Sequence, residues 1–297
     1  DIRLGDRKIK VIYDCGNGTT SIIADKIFNK LNIEKKGIYN ISDGNFPNHQ
    51  PDPAVSENLN DLRQEVVNYQ ADIGIAFDGD GDRVGFVDEK GRIIPIEEYM
   101  IIMWRDICDR VSNRKCLFDV KCSKALEDEL LKLGVEPICY RTGNSYTRAK
   151  TAELNIPLGG ELSGHIYFRD RFKGYDDGIY NGIRLIELLS NTDKNLSSLS
   201  EGINKYYNTQ ELKVEVTDNN KFKIIEKIEE YAKSMNYQML TIDGVKVKFP
   251  DCSSALVRAS NTTPCITLRF EAKTQERLQE IYNEFITKLN EIIKELA

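Results

Sequence analysis

The chain has 297 residues, 40% of them apolar and 30% charged, and carries a net charge of −6. That length predicts two or three domains of roughly 100–200 residues each. The acidic balance argues against general nucleic-acid binding, and no apolar run reaches the roughly 18 residues a membrane span needs. The first elements read as strand, Gly-rich loop and helix: Val11–Tyr13, then Ile22, Ile23, Ile27, Phe28 and Leu31 at helical spacing. VSENLNDLRQEVVNYQ predicts a second helix and DIGIAF a buried strand running into FDGDGDR (77–83). VGFVDEKGRII predicts a hairpin turning at Lys90-Gly91.

The alternation then restarts. EEYMIIMWRDICDRV and SKALEDELLKLG predict helices, the second capped by Ser123 and ended by Gly134. KCLFDV and EPICYR predict strands, and DDGIYNGIRLIELLS another helix. After residue 210 strands cluster (ELKVEV, KVKF, SALVRAS, CITLRFEA) between helices from about Lys221 to Ser234 and from Gln275 onward. The expected fold class is α/β: two consecutive α/β domains with mixed, largely parallel sheets, at 1–103 and 104–210, followed by a smaller α+β domain at 211–297.

Three constellations carry chemistry. Asp78, Asp80 and Asp82 alternate with glycines after the buried strand, so the backbone can fold tightly and bring three hard oxygen ligands together. The carboxyl end of a strand in an α/β segment is where ligands usually bind. Mg²⁺ suits such a loop, with Arg83 in reach of any anion the metal holds. A solvated acidic turn is the ordinary alternative. An EF-hand is the other, since Asp78, Asp80, Asp82 and Glu89 match its spacing. It fails at Arg83, which stands where that loop needs Gly.

In GELSGH, Glu161, Ser163 and His165 alternate and, if extended, share one face that could grip sugar hydroxyls. A polar strand edge with a structural histidine explains the same string. Lys121 is expected at a strand's carboxyl end. In RASNTTP, Arg258, Ser260, Asn261, Thr262 and Thr263 are expected in one loop, a guanidinium among hydroxyl and amide donors, as a phosphate cradle requires. A plain polar turn is the alternative there. Only two histidines occur, which nearly excludes a multi-histidine metal site, and the seven scattered cysteines read as reduced thiols of a cytoplasmic protein.

The strings DGNFPNHQPDP (43–53), FDGDGDR, DVKC (119–122), RTGNS (141–145), GELSGH, DDGIY (176–180) and RASNTTP, in this order, resemble the α-D-phosphohexomutase family. The resemblance is nearest to its bacterial phosphomannomutase/phosphoglucomutase branch. It implies four domains around a central cleft, and interconversion of mannose or glucose 1-phosphate and 6-phosphate through a phosphoserine and a bisphosphorylated intermediate. It further implies that Asp78, Asp80 and Asp82 hold Mg²⁺ and that Arg83 and Lys121 flank the transferring phosphoryl group. Glu161 and Ser163 would hold sugar hydroxyls, with His165 as a polar or acid–base group. Arg258, Ser260, Asn261 and Thr262 would grip the phosphate that does not react. Leu162 favours the dual-specificity branch over the glucosamine mutases.

Two features depart from the pattern. The family's serine loop, Thr/Ala-Ser-His-Asn-Pro, has no counterpart string, so the chain reads as domains two to four without the phosphoserine domain, inactive alone and weak for Mg²⁺. Asn144 stands where that branch often has histidine. A non-catalytic phosphosugar-binding module and a phosphoglucosamine mutase are the alternative functions.

Overall fold

The computed structural model describes residues 2–296. Its contacts group the chain into two compact units. Unit 1 comprises the residues up to Phe118 with Glu129–Ile138 and Asn144–Ile203; unit 2 comprises Asp119–Asp128, Cys139–Gly143 and the chain from Asn204.

In unit 1, β1 (Lys10–Asp14), α1 (Ala24–Phe28), β2 (Glu34–Ile38), α2 (Asn60–Tyr69), β3 (Ile73–Phe77), β4 (Val84–Asp88) and β5 (Ile93–Ile94) build a sheet of order β2-β1-β3-β4-β5. The β1 pairs with β2 and β3 are parallel; β3–β4 and β4–β5 are antiparallel. Every residue of β3 is buried, as its unbroken apolar run predicts for a strand covered on both faces. Leu62 and Val66 of α2 cover one face of this sheet, and Gly74 lets them close in, since a Cβ there would stand 2.7 Å from Val66 Cγ2.

The chain continues through α3 (Ile96–Ile107), β6 (Lys115–Asp119), α4 (Lys124–Lys132), β7 (Glu136–Tyr140), α5 (Asn144–Glu153), β8 (Leu158–Gly160), β9 (Ile166–Phe168), α6 (Gly178–Ser190) and α7 (Leu196–Leu199). A second sheet has the order β7-β6-β8-β9, parallel at β6–β8 and antiparallel at β8–β9. Asp177 caps α6 by accepting from Tyr180 N at 2.9 Å.

Unit 2 holds β10 (Tyr207–Asn208), β11 (Leu212–Glu215), α8 (Asp218–Ser234), β12 (Gln238–Leu240), β13 (Val245–Lys248), β14 (Ser254–Ala259), β15 (Cys265–Ala272) and α9 (Gln275–Leu296). Its sheet, β10-β15-β14-β13-β12 with β11 also on β15, is antiparallel. Leu278, Ile281, Phe285, Leu289 and Ile292, three or four residues apart on α9, pack with Ile224 and Ile228 of α8 onto Val257, Leu268 and Phe270. The architecture is thus two α/β segments with mixed sheets followed by an α+β segment, as expected, but the first sheet is not largely parallel: two of its pairs are parallel and two antiparallel, because β3, β4 and β5 follow one another through short turns.

Some local expectations change. The helix read over 22–31 is two short pieces, a 3₁₀ turn at Thr19–Ile22 and α1, and Ile22 and Ile23 stay exposed. β2 went unpredicted because EKKGI is a half-buried edge strand without alternation. The seven cysteines are all free thiols. Among the described residues no helix is long and apolar enough to cross a membrane.

Candidate functional site

Asp78 follows β3 directly and is buried. Its Oδ1 accepts the backbone N–H groups of Gly81 (2.9 Å) and Arg83 (3.0 Å), which folds the loop back on itself. Its Oδ2 accepts from Arg83 Nε at 2.8 Å, and Arg83 Nη1 donates to Asp52 Oδ1 at 2.9 Å. Two neighbours brace the loop: Thr19 N–H donates to Gly79 O and Gly178 N–H, at the start of α6, donates to Gly81 O, both at 2.9 Å.

Asp78, Asp80 and Asp82 each place a carboxylate oxygen within 4.8 Å of the others. Burial, then the charge of Asp78, pushes the Asp80 carboxyl up. Asp82 is pushed up to about 6, first by burial and then by Asp78, Asp80 and Asp176, against the opposing pull of His165. Carboxylates that resist ionisation together are an acidic cluster suited to a divalent cation, whose charge would relieve the repulsion. The flanking elements are strands, so the EF-hand alternative has no helices to frame it.

GELSGH is not extended. β8 ends at Gly160 and the chain turns, with Glu161 N–H donating to His165 O (2.9 Å) and Gly164 N–H to Glu161 O (3.0 Å). Gly164 has φ +105°, a backbone region that side-chain-bearing residues avoid. Glu161, Ser163 and His165 therefore do not share a strand face. Glu161 is buried and accepts from Thr147 Oγ1 of α5 at 2.6 Å, whereas Ser163 is half-buried in the turn. His165 Nδ1 stands 3.3 Å from Asp176 Oδ2 and 3.6 Å from Asp82 Oδ1. Burial opposes its protonation, but the bond to Asp176 and the charges of Asp82 and Glu161 outweigh it and raise its pKa. Asn144 Nδ2 donates to Asp176 Oδ2 and lies 3.3 Å from His165 Nδ1. A bridge between Arg83 and His165, with Val84 N–H donating to Gly164 O at 3.3 Å, joins this turn to the acidic loop.

Unit 2 carries the remaining predicted residues. Lys121, just past β6, has Nζ 3.2 Å from Glu211 Oε2 and 3.8 Å from Asp119 Oδ2. Burial pulls its pKa down, the two carboxylates outweigh burial, and Arg258 is near enough to oppose them. Arg258 is on β14 rather than in the loop, because the ladder with β15 continues through Arg258↔Thr267 to Ala259↔Ile266. Ser260 opens the turn: its N–H donates to Cys265 O, and its Oγ takes the N–H of Thr263 (3.2 Å) and of Thr262 (3.4 Å). Asn261, Thr262 and Thr263 are exposed. Lys221 Nζ donates to Ser260 O at 3.2 Å, holding the turn from α8.

Asp52, Asp176 and Asp243 are partners that sequence reasoning did not single out. The first two lie in the strings PDP and DDGIY; their position in those strings was the only signal, since no spacing rule links them to Arg83 or His165.

Fold and site together define an α/β protein with an acidic cluster, of a kind that could hold a metal ion, at the carboxyl end of a central strand. Family models for phosphoglucomutase/phosphomannomutase match it in three stretches: the alpha/beta/alpha domain II model over residues 2–91, the alpha/beta/alpha domain III model over 96–206 and the C-terminal domain model over 211–288. The chain belongs to the phosphoglucomutase/phosphomannomutase family.

It is 41% identical over 290 residues to a phosphomannomutase/phosphoglucomutase of Pseudomonas syringae pv. tomato, covering 98% of this chain and 62% of that one. A Pseudomonas putida protein of the same name is 40% identical, covering 100% of this chain and 64% of its own. The crystal structure of a phosphoglucomutase/phosphomannomutase family protein from Burkholderia thailandensis superposes with a TM-score of 0.89 at 39% identity, covering 98% of this chain and 62% of that one. The chain thus spans less than two-thirds of the length of these relatives.

Proposed function

We propose that the chain carries the metal-, sugar- and phosphate-handling parts of a phosphohexomutase that interconverts the 1-phosphate and 6-phosphate of mannose or glucose. The reaction class passes through a phosphoserine and a bisphosphorylated sugar. The observation that supports this most is the acidic cluster itself: three carboxylates within 4.8 Å after a buried strand, with Arg83 bound to one of them. Asp78, Asp80 and Asp82 would hold Mg²⁺, which when bound would neutralise charge on a phosphoryl oxygen. Arg83 and Lys121 would each serve the transferring phosphoryl group; Arg83 has Nη1 on the half-exposed Asp52, a partner an incoming phosphate can replace. Glu161 and Ser163 contact sugar hydroxyls, with His165 as the adjacent polar or acid–base group. Arg258, Ser260, Asn261 and Thr262 hold the phosphate that does not react, which positions the sugar. Phosphoryl transfer depends chiefly on such positioning and charge neutralisation.

This sequence contains no Ser-His-Asn-Pro string to supply the phosphoserine, so this chain by itself should bind substrate without turnover. Its seven free thiols support a reducing, cytoplasmic setting. Calorimetric titration with mannose 6-phosphate and glucose 6-phosphate in Mg²⁺, alongside a coupled assay from the 1-phosphates, tests both parts. Binding weakened by Arg258→Ala, with no turnover, is the expected result. No binding at millimolar sugar phosphate overturns the assignment, and robust turnover overturns the inactivity of this chain.

A further inference from the structure

Arg258 is 5% exposed on β14, where an unpaired guanidinium would be costly. Its partner is Asp243, in the turn between β12 and β13. Asp243 Oδ2 accepts from Arg258 Nε at 3.0 Å, and Arg258 Nη2 lies 3.5 Å from Oδ1. A carboxylate on the Nε edge fixes the guanidinium plane and leaves Nη1 and its edge available to a second anion. The turn is built to bring Asp243 this close. Gly244 has φ +75°, and a Cβ there would stand 2.4 Å from Val257 O and 2.6 Å from Arg258 Cα.

The same Oδ2 accepts the backbone N–H of Thr142 at 3.0 Å. Thr142 O accepts from Asn261 Nδ2 at 3.4 Å, and Thr142 Oγ1 donates to Asp119 Oδ2 at 3.3 Å. One carboxylate oxygen therefore joins the guanidinium on β14 to the backbone of the RTG segment, while Asn261 of the RASNTTP turn holds that segment from its other side.

We infer that Asp243 is a positioning residue: it orients Arg258 toward phosphate and, through Thr142, sets where Asn261 stands relative to that guanidinium. The inference rests on the reading above that Arg258 and Asn261 bind phosphate. Asp243 itself would touch no substrate atom. Its effect is to present a fixed donor edge, so that phosphate meets a preorganised group.

The test uses the full chain with glucose 6-phosphate as probe, comparing wild type with Asp243→Asn, Asp243→Ala, Asp243→Glu and Arg258→Ala. Titration calorimetry should show glucose 6-phosphate binding weakened about tenfold in D243A, less in D243N, and partly restored in D243E. The Nε–Hε resonance of Arg258 should be slowly exchanging in wild type and lost in D243A, a signature that general loosening of the fold does not select. The Mg²⁺-induced rise in Tm, which reports the acidic loop of unit 1, should be unchanged. Unaltered or tighter binding by D243A, with binding lost in R258A, overturns this inference and leaves the proposed function standing. Absence of a protected Hε in wild type overturns it without any variant. If wild type does not bind glucose 6-phosphate at all, both readings fall.

Discussion

Asp78 is tied by two backbone N–H groups and Arg83, whereas Asp80 beside it is only partly covered and is the most solvent-facing of the three. Partial burial and the charge of Asp78 hold the Asp80 carboxyl above its ordinary range, so in the absence of metal Asp80 adds repulsion. Asp80→Asn should melt no lower than wild type in EDTA, yet gain less in Tm when Mg²⁺ is added. Calorimetric melting of both proteins in both buffers checks this; a lower Tm in EDTA, or an undiminished Mg²⁺ gain, contradicts it. His49 gives a pH prediction away from that cluster. Its Nε2 lies 3.0 Å from Oδ2 of the buried Asp14, and this bond raises its pKa from 6.5 despite burial. A raised folded-state pKa means the contribution to stability is complete below the unfolded value and fades as pH rises through the folded one. His49→Gln should therefore shrink the fall in urea midpoint between about pH 6.5 and pH 8, with His165, raised as well, retaining the remainder. An unaltered pH slope in the variant would show that His49 titrates at its ordinary value.

Single elements hold the loops in place. The start of α6 lies against the acidic loop, and a Cβ on Gly178 would stand 2.8 Å from Arg83 O and 3.0 Å from Gly81 O. The β8–β9 turn depends on Gly164, whose φ is +105° and whose added Cβ would stand 2.8 Å from Val84 O. Gly164→Ala should cost about 1–3 kcal/mol, read as a lower urea midpoint at unchanged m-value. A variant as stable as wild type would mean that the turn has room to reshape. The pattern of GELSGH suggested an extended strand because Glu161, Ser163 and His165 alternate, but alternation is silent about φ. The glycine between serine and histidine was the clue, since only at such a residue does a left-handed turn come without steric cost.

Each unit has its own core, and the two can be watched separately. Trp104, the only tryptophan, is buried in unit 1. Phe285, buried on α9, belongs to the core of unit 2. Phe285→Ala should remove about 3–5 kcal/mol from the unfolding of unit 2. Circular dichroism should then show an early urea transition, while Trp104 fluorescence keeps its wild-type midpoint. A Trp104 midpoint that falls in step would show the units to unfold as one.

Patterns that live within a few residues were legible from the chain alone. The apolar run of β3, the three- and four-residue spacing of α9, Ser123 before α4 and the alternating aspartates each depend on local geometry, and each stands where it was expected. The family resemblance was legible for the same reason, being carried by short strings. Long-range partners were not. Asp52 meets Arg83 across 31 residues, Asp176 meets Asn144 across 32, and Asp243 meets Thr142 across 101. Arg258, expected in a loop, lies on a strand because the β14–β15 ladder runs to Ala259 before it opens. Such pairings come from which elements the core brings together. Burial then decides which charges must find a partner, and neither is recorded in spacing along the chain.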